Sequence, residues 1–193
     1  MSLLDMLQEK LGNESAVKQI GAQLGTDPGT TQSAIAAALP MIVGALARNA
    51  QSPDQAGALS NALAKDHDGS ILDDLTSHLG QAQQTDGDNI LSHVLGAKRS
   101  SVATGLGQVA GLDAGKASLL LSMLAPLVMG ALGKVQRERG LDPGGLAGML
   151  GGEGQRAADA APGVMGMLGK FLDRDGDGSV LDDIGGMLNR FGR

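Results

Sequence analysis

The chain repeats itself at an offset of 86 residues, and this constrains its fold more than any other feature. "GAQLGTDPG" at 21–29 falls on "GQVAGLDAG" at 107–115, and "LPMIVGAL" at 39–46 falls on "APLVMGAL" at 125–132. Between residues 16–47 and 102–133 the alignment has no gap. Gly21, Gly25, Asp27, Gly29, Pro40, Gly44, Ala45 and Leu46 meet Gly107, Gly111, Asp113, Gly115, Pro126, Gly130, Ala131 and Leu132. The likeness continues further on. "ALSNAL" at 58–63 meets "GLAGML" at 145–150, and "DHDGSILDDL" at 66–75 meets "DGDGSVLDDI" at 175–184. A local structure that satisfies one copy must serve the other. We therefore expect a first helical repeat over 1–84. A second covers 85–193, with an insertion near 151–170 that reads as loop with some helix, and then an aspartate loop plus helix at the C-terminal end.

The periodicity within each copy is helical. Apolar residues at 3, 4, 7 and 11, and again at 17, 20 and 24, form stripes of the 3.6-residue period. Gly25 reads as a helix stop. Asp27–Pro28, Ser52–Pro53 and Asp142–Pro143 each place a capping residue before a proline at the first helical position. No convincing alternating strand is present, so the fold class is all-α. Pro40 and Pro126 lie inside long apolar runs. A proline there loses a backbone hydrogen bond and clashes with the preceding turn, which predicts kinked central helices. With Gly44 and Gly130 one turn later, these two helices are expected to pack against each other across a pseudo-twofold axis.

Composition decides what fills the interior. Two Phe stand alone among 193 residues, with no Tyr or Trp, so the core must be Leu, Ile, Val, Met and Ala. Thirty-one glycines without a collagen period let helices approach closely. Cysteine is absent, which excludes thiol catalysis, thiolate metal sites and disulfides and suits a cytoplasmic protein. Residues 1–96 carry 4 basic and 11 acidic residues, and residues 97–193 carry 11 and 10. Neither half has the clustered basic face of a nucleic-acid binder, and "GKVQRERG" at 133–140 reads as a solvated helix end. "MSLLDMLQEKLG" does not read as a secretory signal, having acidic residues and no basic start before an apolar run. The uncharged run 117–133 reaches only the lower edge of a membrane span, and we read it as a buried helix.

The aspartates carry the candidate chemistry. Counting from Asp173, residues Asp173, Asp175 and Asp177 hold positions 1, 3 and 5 of an EF-hand-like loop, Gly178 the turn, and Ser179 the carbonyl position. Position 12 is Ile184 instead of the usual Glu, so Asp182 or Asp183 would have to close the site in a shortened loop. The same residues also suit a helix start, with Ser179 as cap and Asp182 in the first turn. Both readings stay open, with Ca2+ the ion implied by the first. The echo in the first half is weaker. Asp66 and Asp68 hold positions 3 and 5, and Ser70, Asp73 and Asp74 repeat the cap, but Ala64 occupies position 1. "TDGDNILSHVLG" at 85–96 reads as linker and N-cap. His67, His78 and His93 show no zinc spacing and read as surface or capping residues.

The features "SLLDMLQ", "LPMIVGALARN", "HDGSILDDL" and "FLDRDGDGSVLDDIGGML" resemble the bacterial domain of unknown function family 937 across nearly the whole chain, and more distantly YidB-type bacterial proteins. The resemblance implies a cytoplasmic, all-α bacterial protein and transfers no mechanism. No phosphate loop, nucleophile elbow or metal triad appears. The expectation is a non-enzymatic binding or scaffolding module with a calcium loop. Its partner is an unknown protein or an apolar ligand, not nucleic acid, and it has no membrane span. Two other classes compete. One is a binder of an apolar small molecule or lipid between the repeats, motivated by nine methionines, among them Met123, Met129, Met149, Met165 and Met167. The other is a self-assembling homo-oligomer.

Overall fold

The computed structural model describes residues 2–73, 75, 79, 84–163 and 166. Among these the chain is all-α, and no strand occurs. Eight α-helices follow one another: α1 (Leu3–Leu11), α2 (Glu14–Leu24), α3 (Pro28–Asn49), α4 (Pro53–Asp66), α5 (Gln84–Leu95), α6 (Arg99–Ala110), α7 (Ala114–Arg139) and α8 (Pro143–Ala160). Short 3₁₀ turns lie at Ser70–Leu72 and Gly96–Lys98.

Two of the joints explain the repeated letters. Gly25 and Gly111 end α2 and α6 in the left-handed conformation, at φ 61° and 69°, where a side chain would be strained. The next N–H, of Thr26 or Leu112, folds back to the carbonyl of Gly21 (3.0 Å) or Gly107 (2.9 Å). A Cβ at position 21 or 107 would meet the returning Thr26 or Leu112 oxygen at 3.0 or 2.6 Å, so glycine is needed there too. Asp27 and Asp113 then cap the following helices, accepting from the N–H of Thr30 (3.0 Å) and Lys116 (2.9 Å). Each G-x3-G-x-D segment is thus a complete helix–turn–helix joint.

The expected stripes face inward: Leu3, Leu4, Leu7 and Leu11 of α1, and Val17, Ile20 and Leu24 of α2, are buried. Asp142 caps α8 through the N–H of Gly145 (2.7 Å). Ser52 holds the N-cap position of α4 without a side-chain cap bond. Pro40 and Pro126 lie within α3 and α7, and both helices continue through them. Tertiary packing along both runs outweighs the lost hydrogen bond: Leu39, Met41 and Ile42 in α3 and Leu124, Leu127 and Val128 in α7 are fully buried. Each such side chain contributes on the order of 1.5–3 kcal/mol.

The central helices do touch, but each also packs on elements from the other side of residue 84. The most extensive packing of α3 is against α8, while α7 packs on α5, α6, α4 and the 3₁₀ turn at Ser70–Leu72. One continuous core results, with residues from α1 through α8. Two readings change. Residues 84–95 are helix α5, so Asp86 and Asp88 lie inside it and not in a linker. Residues 151–160, in the insertion read as loop with some helix, continue α8 without a break; burial of Leu146, Leu150 and Ala157 holds the helix together.

Candidate functional site

Among the predicted site residues, Asp173, Asp175, Asp177, Ser179, Asp182 and Asp183 lie outside the described residues, as does Asp74 of the weaker set. The rest of that set has a definite place. Asp66 is the last residue of α4. Gly69 turns the chain at φ 85°, packed against Lys134 and the Gly130 carbonyl of α7. Asp68 Oδ1 accepts hydrogen bonds from Ser70 N (2.9 Å) and Ser70 Oγ (2.5 Å). The Ser70 hydroxyl, and then its N–H, hold the Asp68 carboxyl below the usual carboxylate range. Ser70 was expected as the cap; the acceptor is instead Asp68, because its side chain reaches the first N–H after the glycine turn. Asp73 is exposed and closes the 3₁₀ turn through its N–H to Ser70 O (3.0 Å). Among the described residues no three His, Asp or Glu side chains gather in ligating reach of a common ion.

The histidines are placed singly. His67 follows α4, half-buried, and burial pushes its imidazole pKa down, against a smaller opposing pull from Asp66 and Asp86. His93 Nδ1 lies 2.8 Å from Asn89 O on the surface of α5. His78 lies outside the described residues.

Two polar groupings were not legible in the sequence. The first is a cleft of about 450 Å³ at the start of α1, lined by Asp5, Gln8, Arg139, Glu153 and Arg156 among others. Glu153 sits on the docked face of α8 and is only 3% exposed. Its carboxylate accepts from the Leu4 N–H of α1 (3.3 Å) and from Arg156 Nη1 (2.5 Å). The N-terminus of α1 is further closed by a capping box, with Ser2 Oγ accepting from Asp5 N and Asp5 Oδ2 accepting from Ser2 N, both 3.0 Å. The cleft balances two guanidinium groups against two carboxylates, and its buried member ties α8 to α1.

The second grouping joins α5, α6 and α7. Arg99 pairs with Asp88 and also donates to Ser122 Oγ (3.2 Å) and Ser118 Oγ (3.5 Å). Ser122 Oγ donates to Asp88 Oδ1 at 2.5 Å. That bond, and then Arg99, hold the Asp88 carboxyl below its ordinary range. Next to Asp88, a Cβ on Gly87 would overlap the Ser122 carbonyl, so glycine lets α5 lie directly on α7. The Ser122 proton already has an acceptor, so the network acts as a strut between three helices.

The apolar features resolve as core. Met123 and Met129 are buried in α7, and Met149 is half-buried on α8. Both α3 and α7 are long and apolar enough to cross a membrane by length and composition, and 78% of each such window is buried against other helices. Among the described residues, Val109, at 42%, is the one large hydrophobic side chain that is exposed.

A family model for bacterial proteins of unknown function, DUF937, matches residues 5–135. The chain belongs to this family. No curated protein and no solved structure matches the chain. The DUF937 match runs from α1 through most of α7 and takes in both glycine–aspartate joints, the Asp68 turn and the Asp88 strut. It stops before α8, so the carboxylate that ties α8 to α1 lies beyond it.

Proposed function

We propose that the chain is a non-enzymatic helical binding or scaffolding module, built on a duplicated helix–joint–helix unit, whose C-terminal aspartate segment binds calcium. The observation that carries the scaffold reading is the use made of ionisable side chains. Asp27, Asp113 and Asp142 start helices; Asp68 closes a turn; Asp88 and Arg99 brace three helices; Glu153 fixes α8 to α1. These charges hold architecture, which leaves the fold a rigid mount for whatever it presents.

The calcium reading rests on the spacing of Asp173, Asp175 and Asp177 before Gly178, which supplies hard oxygens from alternate residues of a tight turn. In this reading Asp182 or Asp183 closes the site, the Ser179 carbonyl contributes, and the segment from Val180 is stiffened. α8 ends at Ala160, thirteen residues before Asp173.

Thermal melting followed by circular dichroism at 222 nm tests this, in EDTA, then in millimolar calcium, with magnesium as control. A ligand that binds only the folded state must raise the melting temperature. We expect a rise in calcium that disappears in Asp177→Ala. An unchanged melting temperature in calcium would return the segment to a helix cap and remove the ion from the proposal.

A further inference from the structure

α8 is built unlike the other long helices. Six of its 18 residues are glycine. Glycine disfavours a helix because its backbone loses the most freedom on ordering, and most helical stability in a protein comes from the packing of one face. Some of these glycines have packing reasons: a Cβ at Gly154 would meet the Ala47 Cβ at 2.8 Å. Gly148, Gly151 and Gly152 have none, since they are exposed and a Cβ there would meet nothing within 4 Å. Alanine would fit all three and strengthen the helix.

Docking against α3, α4 and α1 therefore holds α8 in helical form. Leu146, Leu150, Glu153 and Ala157 are its buried residues, a single stripe spaced four, three and four apart. One of the four is a carboxylate, held by the Leu4 N–H and Arg156. At its start, α8 joins α7 through three residues that begin with Gly140 in the left-handed conformation, φ 61°. Beneath it lies α3, its principal neighbour, with Ala47 facing Gly154.

We propose that α8 is a conditionally docked strap, which opens as a unit before the rest of the fold and uncovers the face of α3 beneath it. The exposed glycines lower the cost of opening, and the three-residue joint 140–142 is where α8 parts from α7. α3 and α7, buried along most of their length, stay together when it leaves. The region opened is the one outside the DUF937 match, so the matched core keeps its own packing while the strap moves.

Native-state hydrogen exchange on the full chain, read by mass spectrometry, tests the proposal. Peptides covering 143–160 are compared with peptides covering 117–133. In the natural sequence the α8 peptides should exchange well before those of α7. The variant G148A/G151A/G152A should slow α8 exchange by about a hundredfold, roughly fivefold for each exposed glycine replaced, and leave 117–133 unchanged. Exchange of both segments at one common rate in the natural sequence would overturn the proposal. So would a variant that slows both equally, because α8 would then open only with the whole molecule. The substitutions add methyl groups in open space, so the variant is expected to fold. The circular dichroism at 222 nm checks this independently.

Discussion

Two helix crossings in this molecule solve the same problem from opposite sides. Where α3 meets α8, Ala47 of the central helix faces Gly154 of the later one. Where α7 meets the end of α4, the glycine is on the central helix: a Cβ on Gly133 would overlap the backbone carbonyl of His67. Positions 47 and 133 are paired by the 86-residue offset, yet one is alanine and the other glycine. The difference teaches that a crossing requires a small residue at the contact and does not dictate which helix supplies it. It also shows that the identity of the opposing atom sets how strict the requirement is. A facing methyl can shift by a few tenths of an ångström. A facing carbonyl belongs to a backbone that is already committed to its own turn.

The sharpest way to break the comparison is Gly133→Ala. The new methyl would collide with backbone, so α4 and the Asp68 turn would have to move away from α7. We expect a loss of about 3 kcal/mol or more, the upper end of overpacking costs, in chemical denaturation. A loss below about 1 kcal/mol would show that the α4–α7 crossing has slack. Gly154→Ala should cost less. Its methyl would meet the Ala47 Cβ at 2.8 Å, an overpacking penalty of about 1–3 kcal/mol, partly offset by about 1 kcal/mol of helix propensity. The double change Ala47→Gly with Gly154→Ala moves the glycine to the central helix, as at the other crossing, and should recover most of the loss. Failure to recover it would mean that the two crossings are not interchangeable.

The smallest expected effect is one of pH, and it too belongs to the α4–α7 crossing. Burial lowers the His67 pKa in the folded chain below 6.5. The unfolded chain then binds a proton that the folded one resists, so stability falls as pH drops through about 6.5 towards the folded value. The carboxylates of Asp27, Asp68 and Asp88 are shifted below 3.8, so their contribution is kept across this window and lost only in stronger acid. The melting temperature should therefore decline from about pH 7.5 to about pH 5.5, and the slope should flatten in His67→Gln. A slope unchanged in that variant would assign the decline to another group.

The helices were legible because their signals are local. The stripe of Leu3, Leu4, Leu7 and Leu11, the Gly25 stop, and the Asp27 and Asp142 caps each depend on residues within two turns. Pro40 and Pro126 each break a rule of the isolated helix, and the apolar runs around them, buried in the core, keep both central helices continuous, as those runs imply. The polar ties were not legible at all. Glu153 reaches an N–H 149 residues away, and Asp88 meets Ser122 34 residues on. No spacing in the sequence announces such a pair, since only the finished packing brings them together. The start of α8 was legible from Asp142 and Pro143, while the helical extent of 151–160 was not, because the helix's glycines describe the free segment and its buried leucines describe the docked one. The aspartate segment 173–183 was the plainest chemical pattern, and its spacing remains the basis of the ion proposal.

The joints at 21–27 and 107–113 have a consequence for how such a chain can change over generations. Each turn is closed by main-chain bonds and one aspartate, and of the helix before it the turn asks one glycine, at 21 or 107. Substitutions on a helix face away from the close crossings are absorbed where they occur. A substitution at Gly25 or Gly111 would redirect everything downstream of it. Heritable drift therefore has room on the open faces of the helices and little at the corners and close crossings, and two halves of one chain can come to meet different neighbours while still turning at the same letters.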